Sequence, residues 1–151
     1  AAPAAAMILG DLGAEVIHIE PPQGDDARQF GPFVGEQSGY FISVNRNKKS
    51  LALDLRTEAG KEILRDLIRV SDIILENFRP TTMTKLGFAY EQAAALNPRI
   101  IYASICGFGH DALSGKSRVT MQQHRQHGPG SVACQHVRGM RKALCYSAGG
   151  L

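Results

Sequence analysis

A chain of 151 residues, 44% of them apolar, can bury one modest core and gives no reason to expect two full domains. Its longest apolar runs, "AAAMIL" and "DIIL", fall far short of the roughly 18 residues that span a bilayer, and no basic-then-apolar leader opens it, so a soluble cytoplasmic protein without a membrane partner is expected. The net charge of +3 conceals a divide: residues 1–111 hold all 14 acidic side chains and 11 of the 17 lysines and arginines, whereas 112–151 hold six cations and no Asp or Glu. Those six are diluted by Gln, His, Gly and Ser, unlike the dense Lys/Arg arms that grip nucleic acid, so no nucleic-acid partner is expected.

In chain order, "AAAMILGDLGA" predicts a helix stopped by glycine, and "EVIHIE" a strand closed by the breaker "PPQGDD". A helix opening on Ala-Ala-Pro normally follows a first strand, so the N-terminus reads as truncated. "NRNKKSLALDL" sets Arg46, Lys48 and Lys49 just ahead of a strand, where a solvated loop is the simpler reading. "TEAGKEILRDLIRVS" offers Thr57 as N-cap, Glu58 in the first turn and an apolar stripe at Ile63, Leu64, Leu67 and Ile68. "SDIILENF" reads as a buried strand, "YEQAAALN" as a short helix ended by Asn97-Pro98, and "RIIYASICGF" as a further strand. Strands alternating with helices imply an α/β fold with a parallel sheet and right-handed crossovers.

No GxGxxG, GxxxxGK[ST] or GxSxG occurs, which removes support for the common dinucleotide, P-loop and hydrolase chemistries. Cys106, Cys134 and Cys145 are odd in number and lack CxxC spacing, so neither a disulfide framework nor a standard zinc site is indicated. His124, His127, Cys134, His136 and Cys145 match no zinc module, and Gly128-Pro129-Gly130 interrupts any helix that would group them; no metal is expected. His18 alternates along its strand as a packed or surface residue does. Asn77, Phe78 and Arg79 of "ENFRP" follow a strand, on the ligand side of an open parallel sheet, and offer an amide, a ring and a guanidinium; the same motif is also compatible with a structural turn.

Four segments in order, "GDLGAEVIHIEPP", "NRNKKSLALDLRTEAGKEIL", "SDIILENFRPTTMTKLGF" and "LNPRIIYASICGFG", resemble the family III coenzyme A transferases, which include the CaiB/BaiF proteins, the formyl-CoA and carnitine CoA-transferases and relatives of α-methylacyl-CoA racemase. The resemblance runs from about Ala2 to Gly109. It implies a Rossmann-like parallel-sheet fragment of the family's large domain, an interlocked homodimer, and transfer of CoA between carboxylic acids, with an acyl-CoA and a carboxylic acid as partners. It also implies CoA contacts at Leu53 and Arg56 in "LDLR", at Asn77, Phe78 and Arg79 in "ENFRP", and at Lys85 in "TKLGF". Some members carry a basic residue after the strand that here ends at Glu20, where this chain has Pro21. Arg28 in "GDDAR" falls on a recurring family position compatible with a purely structural role.

In the family, "GFG" is followed by a Gly-Pro segment and by "GYD", whose aspartate attacks the thioester. Residues 112–151 contain no Asp, so no catalytic residue is assigned. Restoring one base between Asp111 and Ala112 converts "DALSGKSRVTM" into "DGPIGKVAGYD", with permissive third bases, the aspartate falling where Met121 stands. The expected division is therefore a family domain piece over 1–111 and an atypical basic tail over 112–151, disordered or frameshift-derived. A noncatalytic CoA- or nucleotide-binding module and a racemase-type relative are the alternatives.

Overall fold

The computed structural model describes residues 2–79, 81–106, 120–124 and 141–146. α1 (Ala2–Asp11) leads into β1 (Glu15–Glu20). The helix ends at glycine as expected: Gly13 takes a φ of 96°, and the N–H groups of Gly13 and Ala14 close on the carbonyls of Gly10 and Leu9, each at 3.0 Å. A 3-10 turn (Asp26–Gln29), a short hairpin of β2 (Phe33–Val34) and β3 (Gln37–Ser38), and α2 (Gly39–Asn45) follow.

β4 (Lys48–Ala52) contains the two lysines expected just ahead of it. β4 is an edge strand, where charged side chains are tolerated. Lys49 Nζ lies 2.6 Å from Glu15 Oε1, and Lys48 Nζ donates to Pro3 O and Asn45 Oδ1 at 2.8 and 2.7 Å. α3 (Glu58–Val70) starts as expected, Thr57 Oγ1 accepting from Gly60 N at 3.1 Å. Its buried line is Gly60, Leu64 and Ile68, at steps of four, whereas Ile63 at the margin of that line is exposed.

β5 (Ile73–Glu76) is buried along its whole length. α4 (Thr82–Leu86), ended by Gly87 at a φ of 82°, α5 (Tyr90–Leu96) and β6 (Ile101–Cys106) complete the alternation. Two more strands, β7 (Thr120–His124) and β8 (Lys142–Tyr146), come from the basic tail.

The sheet order is β4-β1-β8-β5-β6-β7, parallel from β4 to β6 with β7 antiparallel at the edge. Within 112–151, expected to be an atypical tail, disordered or frameshift-derived, residues 120–124 and 142–146 pair within the sheet. The rest of 112–151 lies outside the described residues.

Strand alternation gives each face of the sheet its own core. Val16, Ile73, Leu75, Ala143 and Cys145 pack with Ala6 of α1. Ile19, Ile74, Tyr102 and Leu144 pack with Leu64 and Ile68 of α3 and Ala93 of α5. Among the described residues no helix is long and apolar enough to cross a membrane.

Candidate functional site

At the carboxyl ends of β5 and β6, on the face covered by α3 and α5, lies a cavity of about 200 Å³. Glu76, Tyr102 and Ser104 form its floor, Arg79 and Thr81 its rim, and Met83, Thr84, Ala89, Tyr90 and Glu91 its wall. Parallel sheets place ligands at this end because side chains beyond the last ladder bond are released from the sheet and converge there.

Each floor residue follows from its strand. Glu76 ends an apolar run and is buried, its Oε2 accepting from Phe78 N at 2.8 Å, which turns the chain as it leaves β5. Tyr102 and Ser104 are two apart on β6 and share a face. The Tyr102 hydroxyl donates to Phe88 O at 3.2 Å, and its ring meets that of Tyr90 edge-on, with centroids 6.3 Å apart. Burial, then the nearby charges of Glu76 and Glu91, push the Tyr102 phenol well above its ordinary pKa, so it remains a hydrogen-bond donor. At the rim Thr81 holds a φ of 74°, a left-handed conformation that is costly for a β-branched residue.

The expected site residues are distributed as follows. Arg79 is exposed and lines the cavity; among the described residues no carboxylate lies within ion-pair distance of it. Asn77 and Phe78 are half-buried beside it, Phe78 packing against the α3-side core. Lys85 is exposed on α4 and is not a lining residue.

Leu53 and Arg56 leave the carboxyl end of β4, three strand steps from β5, or roughly 14 Å at the usual spacing. Leu53 is a core residue, and its N–H ties β4 to β1 through Glu20 O at 2.8 Å. Arg56 is forked onto Asp54, with Nε to Oδ1 at 2.9 Å and Nη2 to Oδ2 at 3.1 Å. One end of the sheet thus carries two separate groups of these residues, one at β4 and one at β5.

The sequence reading missed Glu76, Tyr90, Glu91, Tyr102 and Ser104. The available signal was a carboxylate closing the apolar run "IILE" and hydroxyls alternating in "IYAS". Of the five His and Cys residues weighed for zinc, only Cys145 has a described side chain, and it is buried under α1; His127, Cys134 and His136 and the His124 side chain lie outside the described residues.

The profile of CoA-transferase family III matches residues 1–142, nearly the full length of the chain. The chain belongs to that family. This match continues well past the charge boundary at residue 111. An acetyl-CoA:oxalate CoA-transferase of Acetobacter aceti is 53% identical over 108 residues, 71% of this chain and 28% of that protein. The human succinyl-CoA:glutarate CoA-transferase is 49% identical over 111 residues, 72% of this chain and 25% of that one. A crystal structure of a CaiB/BaiF family protein from Brucella suis superposes with a TM-score of 0.68 at 44% identity, over 73% of this chain and 30% of the other. A family III CoA-transferase chain of this length spans about a quarter to a third of these relatives.

Proposed function

We propose that this chain carries the CoA-contacting loops of a family III CoA-transferase, and that the whole protein moves CoA between carboxylic acids. The observation that carries the reading is Arg79, a cation without a described carboxylate partner at the carboxyl end of β5, beside the amide of Asn77 and the ring of Phe78. A guanidinium so placed pairs with a phosphate oxygen of CoA. Phe78 packs on an apolar part of the ligand, Leu53 backs the β4 loop, and Arg56 and Lys85 add cations for an extended anionic molecule. Arg56 gives up part of its pairing with Asp54 to do so. The cavity, lined by Glu76, Glu91, Ser104 and two tyrosines, suits a neutral hydrogen-bonding stretch of ligand and repels phosphate.

Chemistry in the family begins with attack of an aspartate on the thioester, and residues 112–151 supply none. The same absence favours a noncatalytic CoA-binding module as the second reading for this chain. Phe30, Phe33, Val34, Tyr40 and Ile42, all exposed on the segment that runs from the end of the 3-10 turn into α2, support a homodimer that covers them.

Calorimetric titration of the full chain with CoA tests the binding reading. Weak binding is expected, with Arg79→Ala costing a further 1 to 3 kcal/mol, about the worth of one charge-assisted hydrogen bond. Equal affinity in both proteins removes Arg79 from the site, and no binding to either removes the reading.

A further inference from the structure

Three carboxylates are buried among the described residues. Glu20 is forked by Arg28, with bonds of 2.8 and 2.7 Å, and Asp25 Oδ2 lies 3.2 Å from His18 Nε2. Glu76 is the exception: it lines the cavity at the ends of β5 and β6, and its Oε2 accepts only the backbone N–H of Phe78 at 2.8 Å. Glu91 lines the same cavity from its exposed side. Among the described residues no Lys, Arg or His comes within ion-pair distance of either glutamate.

The two charges act on one place. After burial itself, first Glu76 and then Glu91 hold the Tyr102 phenol above its ordinary pKa, so both carboxylates are felt at the same wall of the cavity. A carboxylate taken out of water without a counter-charge is costly, and proteins ordinarily pair it with a cation of their own. Here an open space lies beside it instead.

The lining defines what fits that space. A neutral ligand can donate to these oxygens, but a positively charged donor binds them roughly twice as strongly. Met83, Ala89 and the rings of Tyr90 and Tyr102 complete the wall, which suits an alkyl stem, and tyrosine rings favour a cation over an anion. The cavity measures about 200 Å³, the space of about six or seven waters at roughly 30 Å³ each, which accommodates an amine with a stem of about four carbons. Arg79 at the rim repels a second positive charge at the mouth, so a ligand with one ammonium group is favoured over a polyamine.

We propose that this cavity binds a primary ammonium group on a short alkyl stem, with Glu76 and Glu91 accepting from the ammonium and the stem lying along Met83 and Tyr90. The occupant is a small amine-bearing molecule, and its binding is independent of any phosphate held by Arg79.

The test is a saturation-transfer NMR titration of the full chain at neutral pH with butylamine, butan-1-ol and butyrate, which share one shape and differ in the charge at one end. The amine should bind in the millimolar range and at least about tenfold more tightly than the alcohol, and butyrate should give no saturable signal. Glu76→Gln should weaken the amine about tenfold and Glu91→Gln about threefold. Equal affinity for amine and alcohol would show an apolar cavity without charge selection, and absence of amine binding would remove the site. An amine affinity unchanged by Glu76→Gln would place the ammonium elsewhere; if that variant does not fold, the same result in Glu91→Gln overturns the proposal. CoA enters none of these titrations, so their outcome is separate from that of the CoA reading.

Discussion

Arg28 forks onto Glu20, its Nε 2.8 Å from Oε2 and its Nη2 2.7 Å from Oε1, at the point where β1 gives way to the loop after it. The Glu20 carboxylate is buried, with further hydrogen bonds from Asp25 N at 2.9 Å and from Ser50 Oγ. Arg28 also stacks over the Phe41 ring at 3.9 Å. One ion pair thereby fixes the β1 exit against β4 and α2, and the Arg28 bond does most to hold the Glu20 carboxyl down at about 2.

Acid should unfold the protein through this group. The folded pKa lies below the ordinary 4.5, so the contribution is present in full above that value and is lost as pH falls from about 4.5 towards 2. A shift of this size is worth on the order of 3 kcal/mol. Urea denaturation at a series of pH values should show stability dropping across that window, and Glu20→Gln should flatten the drop. An equally steep fall in the variant would assign acid sensitivity to other carboxylates.

Arg28→Ala should cost about 3 kcal/mol or more at neutral pH, because it strands a buried carboxylate. Arg28→Lys keeps the charge without the fork and should recover part of the loss. Comparison of urea midpoints for the three proteins checks the order.

Gly60→Ala should destabilise, against the usual gain when alanine replaces glycine within a helix. A Cβ there would stand 2.1 Å from Asp54 O and 2.8 Å from the Asp54 carbonyl carbon, so the "LDLR" turn or the start of α3 must shift. A loss of about 1 to 3 kcal/mol is expected from chemical denaturation. A variant as stable as the parent would show that the turn yields freely.

Asn97 closes the end of α3 from a distance, its Nδ2 donating to Ile68 O at 3.0 Å and Ser71 O at 2.7 Å. Asn97→Asp replaces a donor with a carboxylate facing two carbonyl oxygens and should lower stability by about 1 to 3 kcal/mol. Since the aspartate can be protonated, the deficit should shrink below pH 4 or so. A thermal melt at two pH values distinguishes this from a pH-independent packing loss.

On the proposed functional reading, the purified chain should transfer no CoA from an acyl-CoA to a carboxylic acid, since no aspartate follows Asp111. Product analysis by liquid chromatography checks this. Ordinary turnover with a trapped enzyme-bound acyl intermediate would locate a nucleophile elsewhere in the chain.

The sequence by itself determined what depends on neighbours a few residues apart. Thr57 and the Leu64/Ile68 spacing specify α3, the run "IILE" specifies β5, and the alternation of such elements specifies a parallel sheet. "ENFRP" lies at the carboxyl end of the sheet because it leaves β5, which follows from local order alone. The tertiary structure decided what depends on distant pairing. "KALCY" has one large apolar residue between two small ones, a weak strand signal, and it becomes the buried centre of the sheet because β1 and β5 each present an edge to it. The cavity likewise draws Glu76, Tyr90 and Tyr102 from three elements, and only packing of α4 and α5 over β5 and β6 brings them together. Leu53 shows the same limit: nothing in "LDLR" fixes its burial in the core, since exposure is set by whatever folds over a side chain.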